Sequence, residues 1–130
     1  MNVLRALACV LLAVAATPGW ALISDLDTSF GSGGTARHNL GTNNDFVSDI
    51  TVDDAGRIYL LAYQYDIQNG GAVNDRSVIT RLTSGGALDT SFGSNGKITI
   101  SRSTFDAMTP YGLFVDAANQ RIYLLGAHLG

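Results

Sequence analysis

An all-β repeat fold is what this sequence predicts, on three observations. The stretch Leu26-Asp27-Thr28-Ser29-Phe30-Gly31-Ser32-Gly33-Gly34 returns almost unchanged as Leu88-Asp89-Thr90-Ser91-Phe92-Gly93-Ser94-Asn95-Gly96, a period of 62 residues, and self-similarity at a fixed spacing is the signature of a repeat architecture. All eleven acidic residues are Asp and none is Glu, beside fifteen Gly. Glu is a good helix former whereas Asp favours turns and caps, so this balance points to tight turns and away from helices. Between and after the two copies, apolar and polar residues alternate over short runs, as in pleated strands with one better-buried face.

The chain opens with a leader. Arg5 precedes an apolar run from Ala6 to Ala16, and Pro18-Gly19-Trp20-Ala21 follows, with Gly19 and Ala21 in the small-x-small pattern of a signal-peptidase site. The run is too short for a bilayer core, which takes ~20 residues. Residues 1–21 are therefore expected to be a signal peptide cleaved after Ala21, which directs the chain to the periplasm, the cell surface or the medium. The only cysteine, Cys9, leaves with it, so no disulfide holds the mature chain. Losing Arg5 also takes the formal charge from -3 to -4, seven basic residues against eleven acidic ones. No run of Lys or Arg remains, which argues against nucleic acid or anionic lipid as a partner.

Each repeat then reads as four strands. Thr35 to Leu40 puts Ala36, His38 and Leu40 on one face, and Lys97 to Arg102 matches it with Ile98 and Ile100. A polar loop through Asn43, Asn44 and Asp45 leads to Val47 to Val52, in which Ile50 and Val52 correspond to Leu113 and Val115. Asp53-Asp54-Ala55-Gly56 reads as a hairpin loop with Gly56 at positive φ. The second copy has the longer Asp116-Ala117-Ala118-Asn119-Gln120, where Asn119 best tolerates left-handed geometry. Ile58-Tyr59-Leu60-Leu61-Ala62-Tyr63, repeated as Ile122-Tyr123-Leu124-Leu125-Gly126-Ala127, is apolar throughout, as a strand covered on both faces would be. A loop from Asp66 to Asp75 follows. Ser77 to Leu82 alternates, as an outer strand would, before Ser84-Gly85-Gly86 leads into the next motif.

Four sequential strands per unit with a doubly covered central strand describe a β-propeller-like, four-stranded antiparallel blade. Residues 22–87 form one complete blade and residues 88–130 a second, cut short before its fourth strand. The motif lies between units. Its Asp27 and Asp89 carboxylates are expected to accept backbone N–H groups two residues on. Leu26 and Phe30, with Leu88 and Phe92, are expected in the seam between blades. Gly31 and Gly93 would supply backbone angles closed to other residues, and Gly34 and Gly96 complete the pattern.

With these residues in view, the two in-register motifs and Gly56-Arg57-Ile58-Tyr59-Leu60-Leu61 closely resemble the delta-60 repeat of bacteria. The resemblance covers nearly the whole mature chain and implies a secreted or cell-surface β-propeller; it brings no catalytic residues. Gly85-Gly86 stands where that repeat usually has Asp-Gly. Such repeats occur in several copies, and about three or more are needed to bury the faces of each. The chain therefore reads as a fragment of a longer repeat protein, or as one that completes itself by association with further repeats or with itself.

The sequence supplies no catalytic, cofactor or metal site. Gly31-x-Gly33-x-x-Ala36 fits a dinucleotide fingerprint formally, but it neither follows a strand nor opens a helix. His38 and His128 belong to different units and have no cysteine partners, so no zinc spacing exists. The Asn43, Asn44, Asp45 and Asp49 cluster lacks calcium-loop spacing and reads as a solvated loop, and no Gly-x-Ser-x-Gly elbow is present. Tyr59 and Tyr123 read as strand core, Tyr63 and Tyr65 as the more exposed pair. The expected function is thus a non-catalytic extracytoplasmic scaffold or recognition module that binds protein or glycan through loops such as 66–75. The alternative is a metal-dependent, lactonase-like propeller hydrolase or lyase. It would need carboxylates on the inner strands, and Thr35 to Leu40 and Lys97 to Arg102 carry none.

Overall fold

The computed structural model describes residues 25–40, 44–69, 71–101 and 108–128; the leader, Cys9 and Asn43 lie outside the described residues. These residues are all-β. Six strands form two antiparallel sheets, and no helix long and apolar enough to cross a membrane occurs among them. The first sheet holds β1 (Asn44–Val52), β2 (Ile58–Gln68), β3 (Gly71–Leu82) and β4 (Lys97–Ser101) in that order; the second pairs β5 (Met108–Asp116) with β6 (Arg121–His128).

Strand β4 comes from the second copy of the repeat yet pairs with β3 of the first, Ile79 opposite Ile98 and Ser77 opposite Ile100. The sequence reading missed two features of this sheet. Strand β3 is an interior strand, not an outer one: Ser77, Val78, Ile79 and Thr80 are all buried. Thr35 to Leu40, expected to be the first strand, forms no strand; its counterpart Lys97–Ser101 is the segment that pairs with β3. Residues 35–40 are tied down instead by the Lys97 ammonium, which donates to the Asn39 and Leu40 carbonyls at 3.2 and 2.9 Å.

Two further differences lie in the loops. The expected 66–75 loop is instead the outer part of a long hairpin. Asp66 pairs with Val73 and Gln68 with Gly71, and Asn69, next in the chain, takes φ 52°. Asn-Gly is the strongest short hairpin signal because both central positions of its turn take positive φ. Gly56 does take positive φ, at 74°, but in the second loop Gln120 (φ 54°) does so rather than Asn119.

Strands β1 and β5 carry the same irregularity. The register shifts between Val47 and Asp49 in one and between Pro110 and Gly112 in the other, positions that correspond when Ile50 is set against Leu113. A bulge tolerates proline, which has no N–H for the ladder. The repeat is thus copied in backbone irregularity as well as in residues.

The two sheets pack face to face. Register puts Tyr59, Leu61, Ile79 and Ile98 on one face of the first sheet, and these meet Leu113, Val115, Ile122 and Leu124 of the second. Leu61 is fully buried; removing a side chain of this size from water contributes roughly 1.5–3 kcal/mol. The opposite face of the first sheet is covered over β2 and β3, where Ala62, Val78, Thr80 and Leu82 are buried, and exposed at its β1 edge, where Ile50 and Val52 are each 59% exposed; the opposite face of the second presents Phe114, Tyr123 and Leu125. Tyr123, expected in a core, therefore lies on an open face beside Phe114, with ring centroids 5.9 Å apart.

Candidate functional site

The two motif copies build the same turn. Asp27 Oδ1 accepts from the Ser29 amide at 3.0 Å and its hydroxyl at 2.6 Å, and Asp89 Oδ1 accepts from the Ser91 amide at 3.2 Å and hydroxyl at 2.6 Å. The Phe30 and Phe92 amides bond back to the Asp27 and Asp89 carbonyls, and the Gly34 and Gly96 amides to those of Phe30 and Phe92. Gly31 and Gly93 have φ 57° and 54°; a Cβ at either would collide with the carbonyl oxygen of Thr35 or Lys97. Gly34 and Gly96 leave room for Leu26 and Leu88, which pack directly over them.

The surroundings of the two turns differ. Phe92 is 8% exposed and meets Tyr59 edge-on, centroids 5.7 Å apart and planes at 89°. The expected seam position is not realised for the first copy: Leu26 is 67% exposed, and Phe30, half-buried, rests on Gly86. The first copy docks on the Thr83–Ala87 turn through the Gly31 amide to the Gly85 carbonyl and through His38. His38 Nε2 lies 2.7 Å from the Gly86 carbonyl, so that nitrogen is the one that donates. Gly31, Gly33 and Ala36 belong to this turn and the segment after it, with no helix behind them.

Around Phe92 the seam between the sheets opens into a pocket of about 360 Å³. Tyr59 of β2 and Arg81 of β3 line it with Arg57, just before β2, and Phe92 of the second motif turn; Val115 and Asp116 of β5 and Arg121 and Ile122 of β6 line the other side. Asp53, its side chain 1% exposed, accepts from the amides of Ala55 and Arg57, from Arg57 Nε at 2.7 Å and from the Tyr59 hydroxyl. Burial presses the Asp53 carboxyl upward, but the bonds from the Arg57 amide, the Arg57 guanidinium and the Tyr59 hydroxyl outweigh it, and the pKa ends below the ordinary carboxylate value. The same hydrogen bond to Asp53 is the main cause that raises Arg57. Arg81 Nε donates to Asp89 at 2.8 Å and its Nη2 to Ser91, and its guanidinium lies 4.6 Å from the Phe92 ring centre, a stacked cation–π contact. Asp89 is lowered first by the Ser91 hydroxyl, then, against burial, by Arg81.

Three other groups singled out in the sequence fall elsewhere. Asn44, Asp45 and Asp49 lie in β1 and not in a loop. Asp45 accepts from the amide of buried Gln64, which in turn accepts from Arg76 at 2.9 Å, a polar row across three strands. Asp49 reaches the second sheet, accepting the Leu113 amide at 2.7 Å. Tyr63 and Tyr65 are half-buried in a row with Phe46, which stacks on Tyr65. Among the described residues no three His, Cys, Asp or Glu side chains gather to hold a metal. A second, more open hollow of about 500 Å³ lies between the first motif and the Thr83–Ala87 turn, beside Arg37 and His38.

Sequence reasoning did not single out Arg57, Arg81 and Arg121. A signal was present, since Arg57 and Arg121 both stand immediately before Ile-Tyr-Leu-Leu. No family model matches the chain, and no curated protein or solved structure matches it either.

Proposed function

We propose that this chain is a non-catalytic, extracytoplasmic repeat protein of the delta-60 kind, whose sheets are propeller-like blades stacked head to tail, and which acts as a scaffold with recognition surfaces for protein or glycan at the seams. One observation carries the reading: the exposed β1 edge of the first sheet's far face and the exposed face of the second sheet are the repeat equivalents of residues already joined between the sheets. Leu113, Val115, Ile122 and Leu124 pack against Tyr59 and Leu61. Their counterparts in the first copy, Ile50, Val52, Ile58 and Leu60, share the other face of the first sheet. The counterparts of Tyr59 and Leu61, namely Tyr123 and Leu125, are 47% and 73% exposed. The face that Tyr123 and Leu125 present therefore suits the face that Ile50 and Val52 present, and its occupant is another sheet of the same repeat.

Such a contact is heterologous, joining unlike faces, and it extends or closes into a ring according to the rotation per unit. The test uses a second copy of the chain. Sedimentation is expected to show self-association that Leu125→Asp or Val52→Asp each abolishes, while an equimolar mixture of the two variants forms a dimer and nothing larger. A mixture that stays monomeric, or a wild-type protein monomeric at all concentrations, would overturn the stacking.

A further inference from the structure

Six residues separate Val115 from Ile122 where five separate the matching Val52 and Ile58, and the extra one changes the fate of an arginine. In the first copy Asp53 and Arg57 are four apart and joined at 2.7 Å. In the second, Asp116 and Arg121 are five apart. The Asp116 carboxylate is taken instead by the Asn119 amide at 3.1 Å and the Asn119 side chain at 2.9 Å. Arg121 is exposed and has no ion pair among the described residues, yet it lines the same seam pocket as Arg57 and Arg81.

The charge of that lining runs against the charge of the chain. Three arginines and one aspartate face the pocket, whereas the protein as a whole carries -3. The carboxylates that fix Arg57 and Arg81, Asp53 and Asp89, stand behind them and are not part of the lining. A guanidinium has five N–H donors in a planar fork; Arg57 spends one on Asp53, and Arg81 spends its Nε and Nη2 on Asp89 and Ser91. The remaining donors are held in place without being consumed, which lowers the entropy cost of meeting an anion. Val115, Ile122 and Phe92 supply apolar wall, and about 360 Å³ is at the small end of the roughly 300–1,000 Å³ of small-molecule sites.

We propose that the seam pocket binds a small organic oxyanion, a carboxylate or phosphate ester on a compact ring-sized body, with its charged end on Arg57, Arg81 and Arg121 and its body against Val115 and Ile122. The site deepens the recognition part of the proposed function and rests on it only there. It lies on a seam internal to one chain, so its failure would leave head-to-tail stacking standing, and the reverse.

Benzoate, phenyl phosphate and benzyl alcohol serve as carboxylate, phosphate and neutral probes of one size, titrated into the full chain and followed by NMR through the amide signals of Val115 to Ile122. The two anions are expected to shift these signals saturably and the alcohol not to; whichever anion binds more tightly identifies the headgroup. Arg121→Gln, a change at an exposed side chain, is expected to weaken anion binding up to about fivefold, the upper worth of an exposed charge pair, and Arg37→Gln at the other hollow to leave it unchanged. Rising salt should weaken it further through screening. Equal binding of the alcohol, no effect of Arg121→Gln, or no saturable shift in a protein whose spectrum is folded would each overturn the proposal.

Discussion

Phe30 and Phe92 sit in identical turns, and their different burial separates what the motif does locally from what it does across the seam. Phe92 fills the contact between Tyr59, Arg81 and the second sheet, so Phe92→Ala removes apolar packing and a cation–π partner together. A loss of about 3–5 kcal/mol is expected, the usual range for truncating a core aromatic, against well under half of that for Phe30→Ala at a half-buried site. Urea midpoints of the two variants check this; equal losses would mean that the seam adds nothing to the turn. Asn95 makes the complementary point. It stands where the first copy has Gly33 and takes φ 51° beside the φ 61° of that glycine, because Asn is among the few side chains that tolerate left-handed backbone.

Between elements, apolar packing and a directed bond, the Leu113 amide to the Asp49 carboxylate, hold the second sheet to the first. The Asp49 side chain also accepts the Ile50 amide at 2.8 Å, so it bridges an irregular stretch of β1 to the neighbouring sheet. Asp49→Ala is expected to cost about 1–3 kcal/mol, as when a buried donor loses its partner. Amide exchange at Leu113 should accelerate selectively while Ile79, deep in the first sheet, keeps its protection; unchanged exchange at Leu113 would remove Asp49 from this role. The reversals after Val52 and Val115 and the apolar strands that follow them were legible in the sequence because each depends on local pattern. The pairing of β4 with β3 was not, since it joins segments on either side of the second motif and neither segment marks its partner. The 66–75 stretch misled for a related reason: its polar residues read as loop, although the Asn69-Gly70 pair already marked a tight reversal.

For the whole molecule, Asp27, Asp53 and Asp89 all have pKa values below the ordinary carboxylate value. Hydrogen bonds from the Ser29 hydroxyl and amide lower Asp27. In the unfolded chain an aspartate titrates near 3.9, so between the folded and unfolded values the unfolded state binds more protons and stability rises with pH. The contribution of these carboxylates is fully present above about pH 4 and is lost as pH falls through their folded values. Urea midpoints should therefore fall on acidification below about pH 4, less steeply in a Asp53→Asn variant; a midpoint that rises instead would contradict the hydrogen-bonding assigned to them. The candidate site belongs to this scale as well. Arg57 and Arg121 are visible as repeated residues, but their convergence with Arg81 depends on two sheets meeting.

By itself the sequence determined that the chain is a turn-rich β repeat, that it reverses after Val52 and after Val115, and how each Leu-Asp-Thr-Ser-Phe-Gly closes on its own backbone. These follow from interactions spanning a few residues, which residue type and spacing fully specify. Only the tertiary structure decided which strand completes the first sheet, which copy of the phenylalanine is covered, and which arginines share a pocket. Those outcomes depend on contacts between segments far apart in the chain, such as Ile79 with Ile98 and Tyr59 with Phe92, and no local pattern records which distant segments meet.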